Sequence, residues 1–273
     1  ISGSSNYGAY HNYASMVDEM VADPEIGMTP SMVSFFNSTH DLASAPSSMT
    51  LRQTMFSEGE SLVGRFNRMY DQLDGVRTRA KTEFKEVIST ANGLAKSIAN
   101  MNFRIDNASA SGATPNDLMD QRDALIARLS ELVGVKVEYR TDNQATVYID
   151  DHPAVQENRA RQIQYSEDAT GRPVIELSTN AGYIDVTAGL AGIVGGKVKG
   201  YDTAYEFKTS LDNFVTDFVD EFNSRHSTGF DLNGNPGGDF FTYTASSPST
   251  SFEVDSNLQD DITLIAAALS ATS

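Results

Sequence analysis

The chain has 273 residues, enough for one large domain or two ordinary ones, and 40% of them are apolar. A formal net charge of −17 argues against nucleic acid, which needs clustered Lys and Arg, and against anionic membrane surfaces. The lack of any cysteine removes disulfides, thiolate catalysis and Cys-based metal sites, and no apolar run approaches the roughly 18 residues that a membrane span needs.

No secretory signal opens the sequence, and a first residue Ile1 instead of Met implies a processed chain or a fragment. Residues 1–5 read as a disordered lead. Tyr10, Tyr13, Val17, Met20 and Val21 then form a short helical stripe that Asp23-Pro24 ends. Thr29-Pro30 starts a second helix, whose apolar side carries Met32, Phe35, Phe36, Leu42 and Ala43, and Ala45-Pro46 stops it.

The segment from Thr50 to about Asn107 dominates the chain. Leu51, Met55, Leu62, Phe66, Met69, Leu73, Val76, Ala80, Phe84, Val87, Ala91, Leu94, Ile98, Met101 and Ile105 recur at helical spacing, with one wider gap at Gly59. At ~1.5 Å per residue this makes a helix of roughly 80 Å, more than a compact domain needs and suited to an elongated bundle. Thr50 and Gln53 stand at capping-box spacing. Gly59, Gly64, Gly75 and Gly93 each cost a helix up to about 1 kcal/mol and read as points of close helix approach or slight bending.

Thr114-Pro115 starts another helix with Leu118, Arg122, Leu125, Leu129 and Leu132 along one side and Gly134 as its C-terminal cap. The period then changes to two. Val135–Tyr139, Val147–Ile149, Ile163–Tyr165, Val174–Leu177 and Tyr183–Val186 read as strands, separated by turns at Asp142-Asn143, Asp151-His152-Pro153, Thr170-Gly171 and Ala181-Gly182. A glycine-rich passage, Gly189–Gly200, reads as a flexible return to helix. Tyr201, Ala204, Phe207, Leu211, Phe214, Phe218 and Phe222 then form a third long stripe, closed by Arg225 or His226. Loops follow, with a short strand at Phe252–Val254 and a short helix within Asp260–Leu269. The fold class is α+β. Residues 1–134 and 190–273 form a discontinuous, elongated helical bundle or rod, and residues 135–189 form a small inserted antiparallel β-rich domain.

No constellation in the sequence calls for catalysis. Around Gly192–Val198 a phosphate loop lacks its first Gly and its Ser/Thr after Gly196-Lys197. Asp231-Leu232-Asn233-Gly234-Asn235 resembles the opening of a calcium loop, but Pro236 and Thr242 stand where such loops need Gly and a bidentate Glu, so a turn built on Asn-Gly is the better reading. Asp117, Asp120 and Asp123 suit the helix dipole and a pairing with Arg122 better than a metal. His11, His40, His152 and His226 show no metal-binding spacing. The expectation is a non-enzymatic chain with no cofactor, metal, nucleic acid or membrane partner.

Three segments carry a family resemblance. One is Asn116-Asp117-Leu118-Met119-Asp120-Gln121-Arg122-Asp123-Ala124-Leu125. Another is Asn223-Ser224-Arg225-His226 with Gly229-Phe230-Asp231 and Asp239-Phe240-Phe241. The third is Ser34-Phe35-Phe36-Asn37 with Asp41–Pro46, Leu51-Arg52 and Arg65-Phe66-Asn67. Together the three resemble the bacterial flagellar hook-associated protein 1 family, which joins hook to filament. The resemblance implies a structural subunit of the flagellum, exported without a cleaved signal to the cell exterior. It implies axial self-assembly, contacts with hook protein and with the second hook-associated junction protein, and an export chaperone acting through a terminus missing from this core fragment. It also implies structural roles for Asp120, Gln121, Arg122, Asp123, Asn223, His226, Gly229, Phe230, Asp231, Asp239, Phe240 and Phe241, with the Asp-Gln-Arg-Asp group as a buried or half-buried salt-bridged joint. The rival readings are another axial protein, such as the second junction protein or a flagellin, or an extracellular binding module that uses the β-insertion.

Overall fold

The computed structural model describes residues 2–22, 28–112 and 114–270. Its dominant element is helix α3, Met49–Ala110, unbroken over 62 residues. Most of the apolar stripe is buried, from Met55 through Phe66, Leu73, Phe84 and Ile98 to Ile105. At three points the buried position lies one residue later than the apolar pattern indicates. Arg52, Ile88 and Asn102 are buried, while Leu51, Val87 and Met101 are only half-buried. The expected Thr50–Gln53 capping box does not form. The Ser48 hydroxyl accepts the Leu51 N–H at 3.4 Å, and Gln53 reaches forward to Ser57. Of the four helix glycines, Gly59 lies against another segment, where an added Cβ would come within 2.9 Å of the Phe240 ring. Gly64 would meet only Arg68 of its own helix, and Gly75 and Gly93 face open space, so close approach explains one glycine of the four.

The chain divides into two compact units, and α1 (Ser2–Ala22), α3 and α5 (Gly192–His226) each contribute to both. The first unit comprises Ile1–Met16 and Val76–Ala204. It holds α4 (Asn116–Val133) and two antiparallel sheets. One sheet has the order β1-β2-β3-β4, from Lys136–Tyr139, Ala145–Ile149, His152–Gln156 and Arg159–Ala160. The other has the order β5-β6-β7, from Ile163–Glu167, Pro173–Thr179 and Gly182–Asp185. The turn expected at Asp151-His152-Pro153 is tighter than that. Asp150 and Asp151 both adopt positive φ, which suits a two-residue hairpin, and His152 and Pro153 already belong to β3. The ladder shifts register between Val147 and Tyr148, beside Pro153, where a residue without an N–H is tolerated.

The chain leaves for the sheets and returns from them at one place. Ala191 N–H bonds to Val133 C=O at 3.1 Å, and Gly134 (φ +67°) and Gly192 (φ +60°) take left-handed backbone where a Cβ would strike Ala191 and Glu131. The passage Gly189–Gly200 is therefore not a flexible return. From Gly192 onward it is the first turns of α5, and Gly195, Gly196 and Gly200 let α1 approach closely, with Asn6, Ala9 and Tyr13 in contact. The same contact accounts for helix in residues 2–5, expected to be a disordered lead. Tyr13 donates to Glu83 at 2.7 Å, and Lys197 bonds the same carboxylate.

The second unit comprises Val17–Gly75 and Tyr205–Ser273. It holds α2 (Met28–Ser44) and a two-stranded sheet of β8 (Phe241–Thr242) and β9 (Glu253–Val254). It also holds the short helices α6 (Pro248–Ser251) and α7 (Ser256–Asp260). Its core is aromatic. Phe35 is fully buried, with ring centroids of Phe222, Phe241 and Phe240 at 5.2, 5.3 and 5.7 Å. Phe66 stacks on Phe214 at 5.5 Å and meets Phe252 edge-on. The helix expected in Asp260–Leu269 shrinks to a 3-10 turn at Ile262–Leu264. Beyond it the chain runs extended, because Phe230 takes the backbone groups of Ala267 and Ala268. The expected helix stop at Asp23-Pro24 lies outside the described residues.

Candidate functional site

The residues singled out from the sequence fall into two clusters, one in each unit, and both hold backbone in place. In the first unit α4 buries Arg122, Ile126, Leu129 and Val133, so its inner face is turned by one position from the Leu125–Leu132 stripe. Arg122 is completely buried, donates to Asn143 C=O at 2.5 Å and to Asp123 Oδ1 at 3.1 Å, and lies 5.3 Å from the Tyr139 ring centroid. It thus ties α4 to the β1–β2 hairpin, whose turn places Asn143 in left-handed backbone. Burial raises the pKa of the Tyr139 phenol, and the Asp123 charge and hydrogen bond raise it further. Asp120, Gln121 and Asp123 are exposed, so of the four motif residues only the arginine is buried.

In the second unit the structure brings together Asn223, His226, Gly229, Phe230, Asp231, Asp239, Phe240 and Phe241. Asn223, near the end of α5, accepts the N–H groups of Phe240 and Phe241 at 2.9 and 3.1 Å and donates to Phe241 C=O at 2.7 Å. Its amide therefore acts as a third strand beside β8 and β9. His226 Nδ1 lies 2.7 Å from Gly238 C=O, and His226 Nε2 accepts the Ala266 N–H at 2.8 Å. This pairing requires the neutral ring with its proton on Nδ1. Burial lowers the imidazole's pKa, while the Gly238 carbonyl and Asp239 pull it back up. Burial also pushes the Asp231 carboxyl up, but hydrogen bonds from Asn235 and Asn233 outweigh that and hold it below its ordinary range. Asp231 Oδ1 accepts both of those backbone N–H groups at 2.8 Å, so Asp231–Asn235 is a closed turn. Among the described residues no group of acidic and histidine side chains is arranged to hold a metal ion.

Three further residues belong with these clusters and went unrecognised as site residues. Arg52 is fully buried and caps the carbonyls of Pro46, at 3.0 and 2.8 Å, and of Ile265. Burial lowers its pKa, and the Asp231 charge raises it. Asn92 exchanges two 2.8 Å hydrogen bonds with the backbone of Ile163 at the start of β5. Asn102 donates to the carbonyls of Ala145 and Glu157 at 2.8 and 3.0 Å and accepts the Ala145 N–H at 3.2 Å. A polar residue in phase with a buried stripe was the available signal for both Arg52 and Asn102.

The family model described as the flagellar hook-associated protein FlgK helical domain matches residues 14–241. The chain belongs to this family. It is 30% identical over 251 residues to flagellar hook-associated protein 1 of Salmonella typhimurium, covering 88% of this chain and 45% of that protein. It is 28% identical over 250 residues to the protein of the same name from Escherichia coli, covering 87% and 45%. The Bacillus subtilis protein of that name is 24% identical over 280 residues, covering 88% and 54%. Among solved structures, the flagellar hook junction protein FlgK from Burkholderia pseudomallei superposes with a TM-score of 0.78 at 24% identity, over 88% of this chain and 45% of that one, a likeness of fold. The chain spans about half the length of these relatives. The resemblance stated from the three sequence segments is thereby shown, as is the pairing of a mainly helical fold with small antiparallel sheets.

Proposed function

We propose that this chain is the core of a structural subunit of the bacterial flagellum that joins hook to filament. The observation that carries the reading is the family match over residues 14–241, which takes in both backbone-holding clusters except for the segment after Phe241. In this reading residues 1–134 and 190–273 form the discontinuous helical domain and residues 135–189 a β-rich insertion. The contact between Val133–Gly134 and Ala191–Gly192 supports that division, since an insertion must leave and return at neighbouring points. The two clusters have structural roles: Arg122 fastens the insertion to α4, and Asn223, His226 and Asp231 set the path of the chain after α5.

The subunit works by assembly and not by catalysis. Its neighbours are further copies of itself, hook protein and the second hook-associated junction protein, with an export chaperone before assembly. It reaches the cell exterior without a cleaved signal. The test is deletion of the gene in a motile host. Hooks without filaments, with unassembled flagellin in the medium and rescue by the intact gene, are expected. Normal filaments on the deletion strain would overturn the assignment.

A further inference from the structure

Two hollows flank the β3–β4 hairpin of the first unit. One, of about 580 Å³, lies between that hairpin and the β6–β7 turn and is lined by Gln156, Arg159, Arg161, Ser178 and Asn180 among others. The other, of about 310 Å³, is lined by Lys96, Asn100 and Phe103 of α3. Asn158 and Ala160 line both, so the two adjoin at the hairpin tip. Their size is that of ordinary small-molecule sites, ~300–1,000 Å³.

The lining has a definite chemistry. In a chain of net charge −17, three cations line the hollows, Lys96 the smaller and Arg159 and Arg161 the larger. Arg159 and Arg161 have no hydrogen-bond or ion-pair partner for their side chains among the described residues. Glu157, the acidic residue in the lining, has Arg140 at 3.8 Å instead. Around the arginines stand the amides of Gln156, Asn158 and Asn180. Phe103 is 49% exposed, so a large apolar ring is held at the rim. The hairpin tip is held in place: Glu157 takes φ +55° in the two-residue turn between Gln156 and Arg159, and Asn102 donates to its carbonyl at 3.0 Å.

We propose that these hollows form one binding site for a carboxylate-bearing saccharide. Arginine forks match a carboxylate in two parallel hydrogen bonds. The amides suit sugar hydroxyls as both donors and acceptors, and the exposed Phe103 ring offers an apolar face to a pyranose. An acidic peptide would use the cations but would have no need of the ring and amides.

The experiment is calorimetric titration of the whole chain with trigalacturonate, maltotriose and a tri-glutamate peptide, at low salt and neutral pH. Saturable binding of trigalacturonate alone is expected. The Arg159→Gln/Arg161→Gln variant should bind it at least about tenfold more weakly, because each arginine contributes hydrogen bonds to a charged group. Phe103→Ala should weaken it severalfold, and both variants should melt close to the parent, because Arg159 is exposed, Phe103 is half exposed, and the half-buried Arg161 has no side-chain partner among the described residues. Equal binding of maltotriose, equal binding of the glutamate peptide, no binding of any probe, or indifference to either variant would each overturn the proposal.

Discussion

Asn223 offers the sharpest test of how the second unit is held. Its side chain makes three hydrogen bonds, two accepted from the N–H groups of Phe240 and Phe241 and one donated to Phe241 C=O. Both phenylalanines are fully buried, and Asn223 is half-buried. Each net hydrogen bond contributes ~1 kcal/mol, and a buried group left without a partner costs ~1–3 kcal/mol. Asn223→Ala should therefore destabilise this unit by on the order of 3 kcal/mol, or about 10 °C in Tm. Two units need not unfold together, so the measurement should include amide exchange at Phe240 and Phe241 as well as urea unfolding. Asn223→Asp sharpens the test. A carboxylate keeps the two acceptor bonds but sets a negative oxygen against Phe241 C=O, so Asn223→Asp should recover only part of the stability that Asn223→Ala loses. A loss under about 0.5 kcal/mol for Asn223→Ala, with unchanged exchange at Phe240 and Phe241, would refute the third-strand role.

Arg122→Ala should destabilise the first unit by about 2–3 kcal/mol, since a charged hydrogen bond to Asn143 C=O is lost and the space of a fully buried side chain is left empty. Thermal unfolding followed by circular dichroism would show it, and an unchanged melting temperature with unimpaired motility would count against the role. Gly75→Ala and Gly93→Ala face open space in α3 and should each stabilise by up to ~1 kcal/mol. Gly59→Ala should gain nothing, because its Cβ meets the buried Phe240 ring at 2.9 Å; parallel denaturant melts of the three variants decide this. His226 is neutral in the fold, with its pKa lowered chiefly by burial. Its contribution to stability should be full above its ordinary value of about 6.5 and be lost progressively as pH falls below that. Faster amide exchange at Ala266 at pH 5 than at pH 7, after correction for intrinsic rates, is the expected sign, and His226→Asn should abolish the difference.

The periodic parts of this fold were open to sequence reading because burial and spacing are tied together in helices. The stripe from Met55 to Ile105 is apolar at most of the positions the helix buries, and the aromatic stripe of α5 meets Phe35 and Phe66. The strands on either side of Asp142-Asn143 were readable for the same reason, with Asn143 in the left-handed backbone that its turn requires. Tertiary contact decided the rest. Gly195, Gly196 and Gly200 look like loop residues in sequence, yet they are helical because α1 packs on them, and nothing local to Gly189–Gly200 announces α1. His152 and Pro153 carry turn chemistry but lie in a strand, because the two aspartates before them take the turn.

The stripe itself fails in a consistent way. At Arg52 and Asn102 the pattern moves one residue away from an apolar side chain so that a polar one is buried, and each of these polar groups meets backbone from a distant part of the chain. Asn92 and Asn223 do the same from their helices for Ile163 and for Phe240-Phe241. A strand that begins or ends against a helix has free N–H and C=O groups on that side, and burying them unpaired is costly. An asparagine amide supplies one donor and one acceptor at the spacing of a strand's own ladder, so it can close that edge from a helix, whereas an apolar residue there would leave the edge unsatisfied. The apolar stripe therefore determines which faces of these helices are buried, and these in-phase polar residues determine which backbone segment each face holds.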